Sequence, residues 1–309
     1  MNPNPLVSII IPTYNRAHII GETLNSVLAQ TYQNWECIIV DDRGSDNTSE
    51  ILEKYTSKDS RINYLSRPET SPKGASACRN YGLSQSKGDY IIFLDSDDVL
   101  MEYCLKERIA KIFENKSKDF WVFPMYIQNE NQARQIFEIP LSESYLQDFL
   151  SCKVHWGIMC TTWNVAFIKQ IKGFNEWYPR LNDPEVHIRA MIASENNFCV
   201  FRELLPDSIY MAASIKDKNS FADNYANSLV LFIPDISKEL REQGLINEIN
   251  YLKEYLNHYF LNFNRFTTRA NNSKVLVVFY KNRIISFSTS FKIIFNYYLF
   301  LFFNNLTIK

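Results

Sequence analysis

The 309-residue chain lacks paired cysteines: its six cysteines are scattered without a C-x-x-C motif, and several lie inside apolar runs. This pattern favours free thiols in a reducing compartment over a disulfide framework. The N-terminus also lacks the basic and apolar regions of a secretory signal, since its first apolar run ends at Pro12. We therefore expect a protein on the cytoplasmic side of the membrane.

The chain has no excess of basic residues either, and its net charge of −1 gives no electrostatic footprint for nucleic acid, whose binding usually needs a basic domain. The charge is uneven, however, because no Asp or Glu follows Glu254, whereas seven Lys and Arg do. The apolar run 291–303 is shorter than the roughly 20 residues that span a bilayer. Its aromatic and basic character favours a peripheral helix on an anionic inner leaflet. The alternative is a helix packed on the rest of the protein.

Apolar strands and amphipathic helices alternate along the first 115 residues. Val7–Ile11 and Trp35–Val40 predict buried strands, joined by a helix within 16–31. Further strands are expected at 61–65, 89–94, 120–126 and 135–139, and further helices after Asp46 or Thr48 and at 74–83 and 100–113. This α/β order predicts a mostly parallel, open mixed sheet flanked by helices, with ligands beyond the carboxyl ends of the strands.

The alternation stops near Ser142. A strand leading into a helix is expected over 155–171 and a helix over 183–193, and apolar residues recur at roughly helical intervals over 239–266. The predicted organisation is one α/β domain at 1–215, with halves 6–115 and 116–215. A helical C-terminal extension at 216–309 follows.

Two acidic clusters follow predicted strands. Asp95-Ser96-Asp97-Asp98 comes after strand 89–94, and Asp41-Asp42 comes after strand Trp35–Val40. Carboxylates gathered in this way repel one another, and a hard divalent cation such as Mg²⁺ or Mn²⁺ removes that cost. The alternative for the first cluster is a solvated acidic turn. The Asp41-Asp42 pair is equally compatible with nucleoside binding and with a helix cap.

Five motifs in order along the chain resemble family 2 glycosyltransferases. They are 7–15 (VSIIIPTYN), 27–32 (VLAQTY), 40–46 (VDDRGSD), 74–82 (GASACRNYG) and 88–98 (GDYIIFLDSDD). The resemblance is strong over 6–115 and looser over 155–193. It implies a GT-A-like, Rossmann-type fold. It also implies inverting, metal-dependent transfer of a hexose from a nucleotide-diphosphate sugar, with a UDP-sugar favoured, to a saccharide or lipid-linked acceptor. By fold-level analogy, the pathway would be bacterial cell-envelope polysaccharide or lipopolysaccharide synthesis.

The resemblance also implies roles for matching residues. Asp95 would contact ribose or sugar, Asp97 and Asp98 of the DXD motif would hold Mg²⁺ or Mn²⁺, and Arg79 would face the diphosphate. The nucleoside would be bound by Pro12, Tyr14, Asp41 and Asp42. Arg43 stands where the family usually has Gly, and we expect it to face solvent rather than phosphate.

An inverting transfer needs a general base opposite the leaving diphosphate. Residues 173–176 (GFNE) and the Asn182-Asp183 pair resemble the family's corresponding segments, which makes Asp183 the predicted base. Asn182 departs from the Glu common there. Asp183 could also cap a helix, since Pro184 suits the first helical turn. Glu185 is the reserve candidate.

This half of the sequence also contains His187, Trp156 and Trp163. His187 is expected to pack or face solvent rather than act in catalysis. We expect Trp156 or Trp163 to line an acceptor cleft, because aromatic faces suit sugar rings. Core packing is an equally good interpretation of each tryptophan.

Two other functions remain compatible with this pattern. A nucleotidyltransferase would need a glycine-rich phosphate loop after the first strand, yet Thr13-Tyr14-Asn15-Arg16 stands there and no glycine precedes Gly21. A non-catalytic saccharide-binding module would have no need of Asp97, Asp98 and Asp183.

Overall fold

The computed structural model describes residues 3–129, 133–286 and 288. The chain forms two compact units. The first contains residues up to Glu143, Val154–Tyr178 and Asn182–Ser214; the second contains Ser144–Lys153, Pro179–Leu181 and the chain from Ile215 onward.

The first unit contains all eleven described strands, which form two sheets. The strands are β1 (Val7–Thr13), β2 (Trp35–Asp41), β3 (Ile62–Ser66), β4 (Tyr90–Phe93), β5 (Val99–Leu100), β6 (Phe120–Val122), β7 (Met125–Asn129), β8 (Gln135–Phe137), β9 (Thr161–Asn164), β10 (Phe198–Val200) and β11 (Ser208–Ala212).

The larger sheet has seven strands in the order β10-β6-β9-β4-β1-β2-β3. β1 pairs in parallel with β2 and β4, and β2 pairs in parallel with β3. β9 runs antiparallel to both β4 and β6, so the sheet is mixed. Every residue of β1 and β2 is buried, as expected for strands covered on both faces.

Helices of the first unit pack on these strands. The first unit contains α1 (Ile20–Leu28), α2 (Thr48–Thr56), α3 (Ala75–Gln85), α4 (Cys104–Glu114), α6 (Val165–Gln170) and α7 (Asn182–Ala193), and the second contains α5 (Tyr145–Leu150), α8 (Lys218–Glu242), α9 (Lys253–Asn262) and α10 (Arg269–Lys281). α3 packs closely on β1 at Gly82, where an added Cβ would lie 2.5 Å from Cγ2 of Ile10. Only glycine permits this approach.

The smaller sheet has the order β5-β11-β7-β8. β11 runs antiparallel to β5 and parallel to β7. β5 immediately follows the Asp95–Asp98 loop, so its pairing places β11 beside that loop.

Two predicted elements differ from the structure. The strand expected over 120–126 is divided at Phe123-Pro124 into β6 and β7, which belong to different sheets. The helix expected from Leu100 begins at Cys104, because Val99–Leu100 pairs with β11 instead.

The predicted helical C-terminal extension is present, and the helical periodicity over 239–266 is divided among several helices. α8 ends at Glu242, and Gly244 adopts a positive φ of 74° before a 3₁₀ helix (Ile246–Leu252) and α9. The described residues contain no helix long and apolar enough to cross a membrane. The segment 291–303 lies outside the described residues.

Candidate active site

The acidic clusters both lie at the carboxyl edge of the large sheet. Thr13 at the end of β1 is in register with Asp41, and Ile10 is in register with Phe93 near the end of β4. Since β1, β2 and β4 are parallel neighbours, the segments that follow them leave the sheet on one side. The structure therefore brings Asp41-Asp42 and the Asp95–Asp98 loop to the same edge.

Asp41 and Asp42 are buried and fix the loops around them. Asp41 accepts hydrogen bonds from the Gly44 amide and the Tyr64 hydroxyl, both at 3.1 Å. Asp42 forms an ion pair with Arg67, whose guanidinium also donates to the Pro68 carbonyl at 2.9 Å. Both carboxylates are thus held in fixed orientations, and their contact with a nucleoside stays a prediction.

The loop after β1 is tied to the loop after β2. Asn15, with a positive φ of 52°, accepts hydrogen bonds from the amides of Ser45 at 2.7 Å and Asp46 at 3.3 Å. Tyr14 is 42% exposed, and Lys73 Nζ lies 4.0 Å from its ring centroid.

Two other predicted nucleotide-loop residues have defined places. Pro12 is buried within β1, in register with Val40. Arg43 donates to the Arg67 carbonyl at 3.0 Å and pairs with Glu69 at 2.8 Å, so its side chain is held by the neighbouring loop.

Arg79 lies beneath the acidic loop instead of facing solvent. It is 3% exposed, it forms an ion pair with Asp95, and its guanidinium carbon lies 5.2 Å from the Phe174 ring centroid. Burial lowers the pKa of Arg79, but the nearby carboxylates of Asp95 and Asp183 outweigh this and raise it overall. The charge of Arg79 is therefore stabilised by carboxylates from two separate segments, Asp95 after β4 and Asp183 in α7. Its predicted contact with a diphosphate stays a prediction.

Asp97 and Asp98 differ in accessibility. The Asp97 side chain is 31% exposed and lies 3.4 Å from Arg16 Nη2, whereas Asp98 is 1% exposed and accepts a hydrogen bond from the Met211 amide at 2.9 Å. Burial, followed by the charge of Asp95, raises the pKa of both carboxyls. The Arg16 charge opposes the rise at Asp97.

The residues fit a divalent cation in one arrangement. Among the described residues no three His, Cys, Asp or Glu side chains form a complete metal-binding group. A cation held by one or two carboxylates and completed by substrate phosphates needs no such group. Asp97 offers a partly exposed carboxylate, and the charge of Asp95 adds to the rise that burial causes in the pKa values of Asp97 and Asp98, so a bound cation would favour their ionised forms. The oxygen donors are those that Mg²⁺ and Mn²⁺ prefer.

Asp183 lies in the first turn of α7, directly after Asn182, and is therefore part of the helix rather than its cap. Its Oδ2 accepts a hydrogen bond from the Ile158 amide at 3.2 Å. Burial raises its pKa, Arg79 opposes the rise and Asp95 adds to it. Asp183 is thus electrostatically coupled to the Arg79–Asp95 pair.

The reserve base is already engaged. Glu185 is 2% exposed and pairs with Arg189 at 2.5 Å. Arg189 also donates to the carbonyls of Ile171 and Gly173, each at 2.5 Å. Through Arg189, Glu185 therefore helps to anchor α7 to the turn at 171–173, which follows α6.

The tryptophan prediction is wrong. Trp156 and Trp163 are both buried, at 1% and 0% exposure, and belong to the core instead of lining an open cleft. The ring of His187 packs against both, so the expectation that His187 packs inside the protein agrees with the structure.

Sequence reasoning missed two residues near the acidic loop. Arg16 faces Asp97. Tyr210 of β11 has a raised pKa, first through burial and then through the charges of Asp98, Asp95, Asp183 and Asp97. No motif marks Tyr210, because its position depends on the pairing of β11 with β5.

The comparisons with known proteins agree on one family. The model of glycosyl transferase family 2 matches residues 8–169, just over half of the chain, and this match ends before Asp183. The Escherichia coli UDP-Glc:alpha-D-GlcNAc-diphosphoundecaprenol beta-1,3-glucosyltransferase WfgD is 39% identical over 157 residues, covering 51% of this chain and 58% of WfgD. The putative teichuronic acid biosynthesis glycosyltransferase TuaG of Bacillus subtilis is 36% identical over 145 residues, covering 47% of this chain and 57% of TuaG. The matched region thus spans less than two thirds of these relatives.

Solved structures confirm the predicted fold. Staphylococcus aureus TarS 1–349 in complex with UDP-GlcNAc superposes with a TM-score of 0.67 at 22% identity, covering 89% of this chain and 80% of TarS 1–349. The mannosyltransferase PcManGT of Pyrobaculum calidifontis, in complex with GDP-Man and Mn²⁺, has a TM-score of 0.57 at 14% identity, covering 97% of this chain and 81% of PcManGT. The open mixed sheet flanked by helices is therefore the predicted GT-A-like fold.

Proposed function

Because the chain belongs to glycosyl transferase family 2, we propose that it transfers a hexose from a nucleotide-diphosphate sugar to an acceptor hydroxyl, with inversion at the anomeric carbon. The observation that carries this proposal is the placement of Asp41-Asp42 and the Asp95–Asp98 loop at one edge of the large sheet, where Arg79 forms an ion pair with Asp95. The charges of Asp95 and Arg79 both act on the Asp183 carboxyl, and the Asp183 charge acts on Asp98. A base candidate and a cation-binding loop thus border one site.

Asp97 and Asp98 are the proposed holders of Mg²⁺ or Mn²⁺, which when bound would neutralise the charge on the leaving diphosphate. Asp97 is the more accessible of the two. Asp98 supports the loop through the Met211 amide. Tyr14, Pro12, Asp41 and Asp42 are the proposed contacts of the nucleoside, and Arg79 with Asp95 those of the diphosphate and sugar side.

Asp183 is the proposed general base. The acceptor oxygen attacks the anomeric carbon while its proton passes to the Asp183 carboxylate. The bond between that carbon and the diphosphate oxygen breaks, and its electron pair leaves with the nucleoside diphosphate. The carboxylate of Asp183 is partly buried, and its raised pKa makes it accept a proton more readily than an ordinary Asp. The Ile158 amide occupies Oδ2 of Asp183, which leaves Oδ1 for the proton.

The proposed donor is a UDP-sugar, and the proposed acceptor is a saccharide or a lipid-linked saccharide of cell-envelope polysaccharide synthesis. The names of WfgD and TuaG support this class of reaction. Such an acceptor would place the enzyme at the cytoplasmic face of the membrane. The basic, aromatic segment 291–303 is its proposed peripheral anchor.

Nucleotide release tests the proposal. UDP-glucose, UDP-N-acetylglucosamine and GDP-mannose are incubated with the protein and MnCl₂ or MgCl₂, and released UDP or GDP is measured with and without EDTA. We expect release from a UDP-sugar that stops with EDTA. Release of pyrophosphate from UTP and a sugar 1-phosphate would instead identify a nucleotidyltransferase. Binding of saccharide without turnover of any donor would identify a binding module.

Two variants separate binding from chemistry. Asp97→Ala is expected to abolish metal-dependent binding of the nucleotide sugar, measured by calorimetry. Asp183→Asn should keep that binding but lower turnover by at least about 100-fold, within the range assigned to general bases. Asp59→Asn, which removes a carboxylate paired with Arg61 outside the site, serves as the matched control. Full turnover by Asp183→Asn would rule out the assigned base.

A further inference from the structure

His187 is enclosed in the protein beside the proposed base. Its side chain has 0% exposure. Its ring stacks on that of Trp163 with centroids 5.4 Å apart, and it meets the Trp156 ring edge to face with centroids 5.9 Å apart. A buried imidazole in such surroundings must satisfy both ring nitrogens with hydrogen bonds.

The partners of the two nitrogens fix the tautomer. Nδ1 lies 2.7 Å from the backbone carbonyl oxygen of Asp183. A carbonyl only accepts, so Nδ1 carries the hydrogen and donates it. Nε2 lies 2.8 Å from Oγ1 of Thr161 and accepts the hydroxyl hydrogen, because a neutral imidazole has one donor and one acceptor. Burial lowers the pKa of His187 to about 4, which keeps the ring neutral at pH 7.

The same chain segment holds Asp183 at a second point. The 3₁₀ helix Ile158–Cys160 leads directly into β9 at Thr161. Ile158 donates its amide hydrogen to the Asp183 carboxylate, and Thr161 reaches the Asp183 backbone through His187. β9 is paired on both sides, with β4 and β6, so this segment is a rigid support.

We propose that Thr161 and His187 form a positioning pair that aligns the Asp183 carboxylate for proton transfer by fixing the backbone of the first turn of α7 to β9. The inference rests on the proposed role of Asp183 as general base. Both residues are fully buried, at 0% exposure, so the pair acts through Asp183. Apolar packing alone would need only a side chain of suitable volume at position 187, whereas alignment needs both directed hydrogen bonds.

Paired substitutions at Thr161 test the inference. Thr161→Val keeps the shape of the side chain but removes the donor to Nε2, and Thr161→Ser keeps the hydroxyl. For UDP release from a hydrolysed UDP-sugar, we expect Thr161→Val to lower kcat about 10- to 100-fold, the scale of a small misplacement of a catalytic group. The KM for the donor should stay within about twofold, because the donor-binding residues lie on other segments. Thr161→Ser should restore most of the turnover.

A double-mutant cycle distinguishes positioning from general destabilisation. If the pair acts through Asp183, Thr161→Val should add no further loss of turnover in an Asp183→Asn background. An equal further loss in both backgrounds, or a rise in KM that accounts for the whole effect, would refute the positioning role. Unchanged kcat in Thr161→Val would refute it as well.

The tautomer can be read without any substitution. In a ¹⁵N-histidine spectrum of the intact protein, the His187 signal should show protonated Nδ1 and unprotonated Nε2 at pH 7. The opposite tautomer would overturn the inference. Failure of the proposed function looks different, since the unsubstituted protein would then release no UDP from a UDP-sugar, whereas full turnover by Asp183→Asn would refute the assigned base.

Discussion

At the scale of single residues, the loop after β4 combines burial with like charge. Asp98 is enclosed among protein atoms, and the charges of Asp95, Asp97 and Asp183 add to the rise that burial causes in its pKa. A buried carboxylate in that setting disfavours its ionised form, and its raised pKa expresses this cost. Asp98 therefore lowers the stability of the metal-free protein at neutral pH, although it is a proposed ligand of the divalent cation.

Asp98→Asn should separate these two effects. The amide oxygen still accepts from the Met211 amide, but the buried charge is removed. We expect the free energy of unfolding of the metal-free protein at pH 7.5 to rise by about 1 kcal/mol, which is the usual gain when a destabilising functional residue is replaced. Metal-dependent donor binding should weaken. Urea denaturation and calorimetry measure the two quantities, and a destabilised Asp98→Asn protein would contradict the argument.

The pH dependence of turnover reports on Asp183. A general base works only when deprotonated, and the pKa of Asp183 is raised. Turnover should therefore fall as the pH drops through a value above the ordinary Asp pKa of about 3.9. Arg79 opposes the rise, so Arg79→Gln should move the acid limb of the kcat profile upward by about one pH unit. Arg43→Gln is the control, because Arg43 pairs with Glu69. An acid limb unmoved by Arg79→Gln would exclude this coupling.

At the scale of elements, long apolar runs made the central strands predictable. Burial on both faces requires a continuous apolar sequence, which marks β1 and β2 clearly. In the structure β1 is two residues longer than predicted and β2 is one residue longer. The geometry of the site could not be predicted from the local sequence pattern alone. β11 supplies the Met211 amide to Asp98 by pairing with the two-residue β5, and so short a strand gives no periodicity to detect. Likewise, α8 contains Pro234, and a proline inside a segment argues against a helix when only the local sequence is considered.

One buried ion pair connects α4 to the start of β11. Arg108 donates through Nε and Nη2 to the two oxygens of Asp207, each at 2.7 Å, and through Nη1 to the Met159 carbonyl at 2.9 Å. Asp207 immediately precedes β11. The pair thus fixes the strand whose Met211 amide supports Asp98.

Asp207→Asn should be strongly destabilising, because it leaves the buried Arg108 charge without a counterion. We expect a loss of about 3–5 kcal/mol in the free energy of unfolding, measured in urea by tryptophan fluorescence. Glu114→Gln on the same helix removes the partner of Lys111 in an exposed pair and should cost less than about 1 kcal/mol. Similar losses in the two variants would show that burial does not determine the strength of the α4 connection.

At the scale of the whole molecule, charge is distributed unevenly along the sequence. No acidic residue follows Glu254, and within the described residues this region carries Arg265, Arg269, Lys274, Lys281 and Arg283. The aromatic run 291–303 comes after them in the sequence. An acid-free region that ends in apolar residues suits an anionic lipid surface, where charge attraction and apolar burial act together.

Removing residues 289–309 tests the proposed anchor and leaves α10 and the buried Ile284 in place. The full chain should float with vesicles containing phosphatidylglycerol, and the truncated chain should remain in the soluble fraction. Binding of the full chain should weaken in neutral phosphatidylcholine vesicles and in 0.5 M salt, since about 1 kcal/mol per basic residue comes from surface charge. Hydrolysis of a UDP-sugar should be unchanged, because every proposed site residue lies before residue 215. Equal flotation of both chains would assign membrane binding to another part of the protein, and loss of hydrolysis would show that the segment belongs to the catalytic fold.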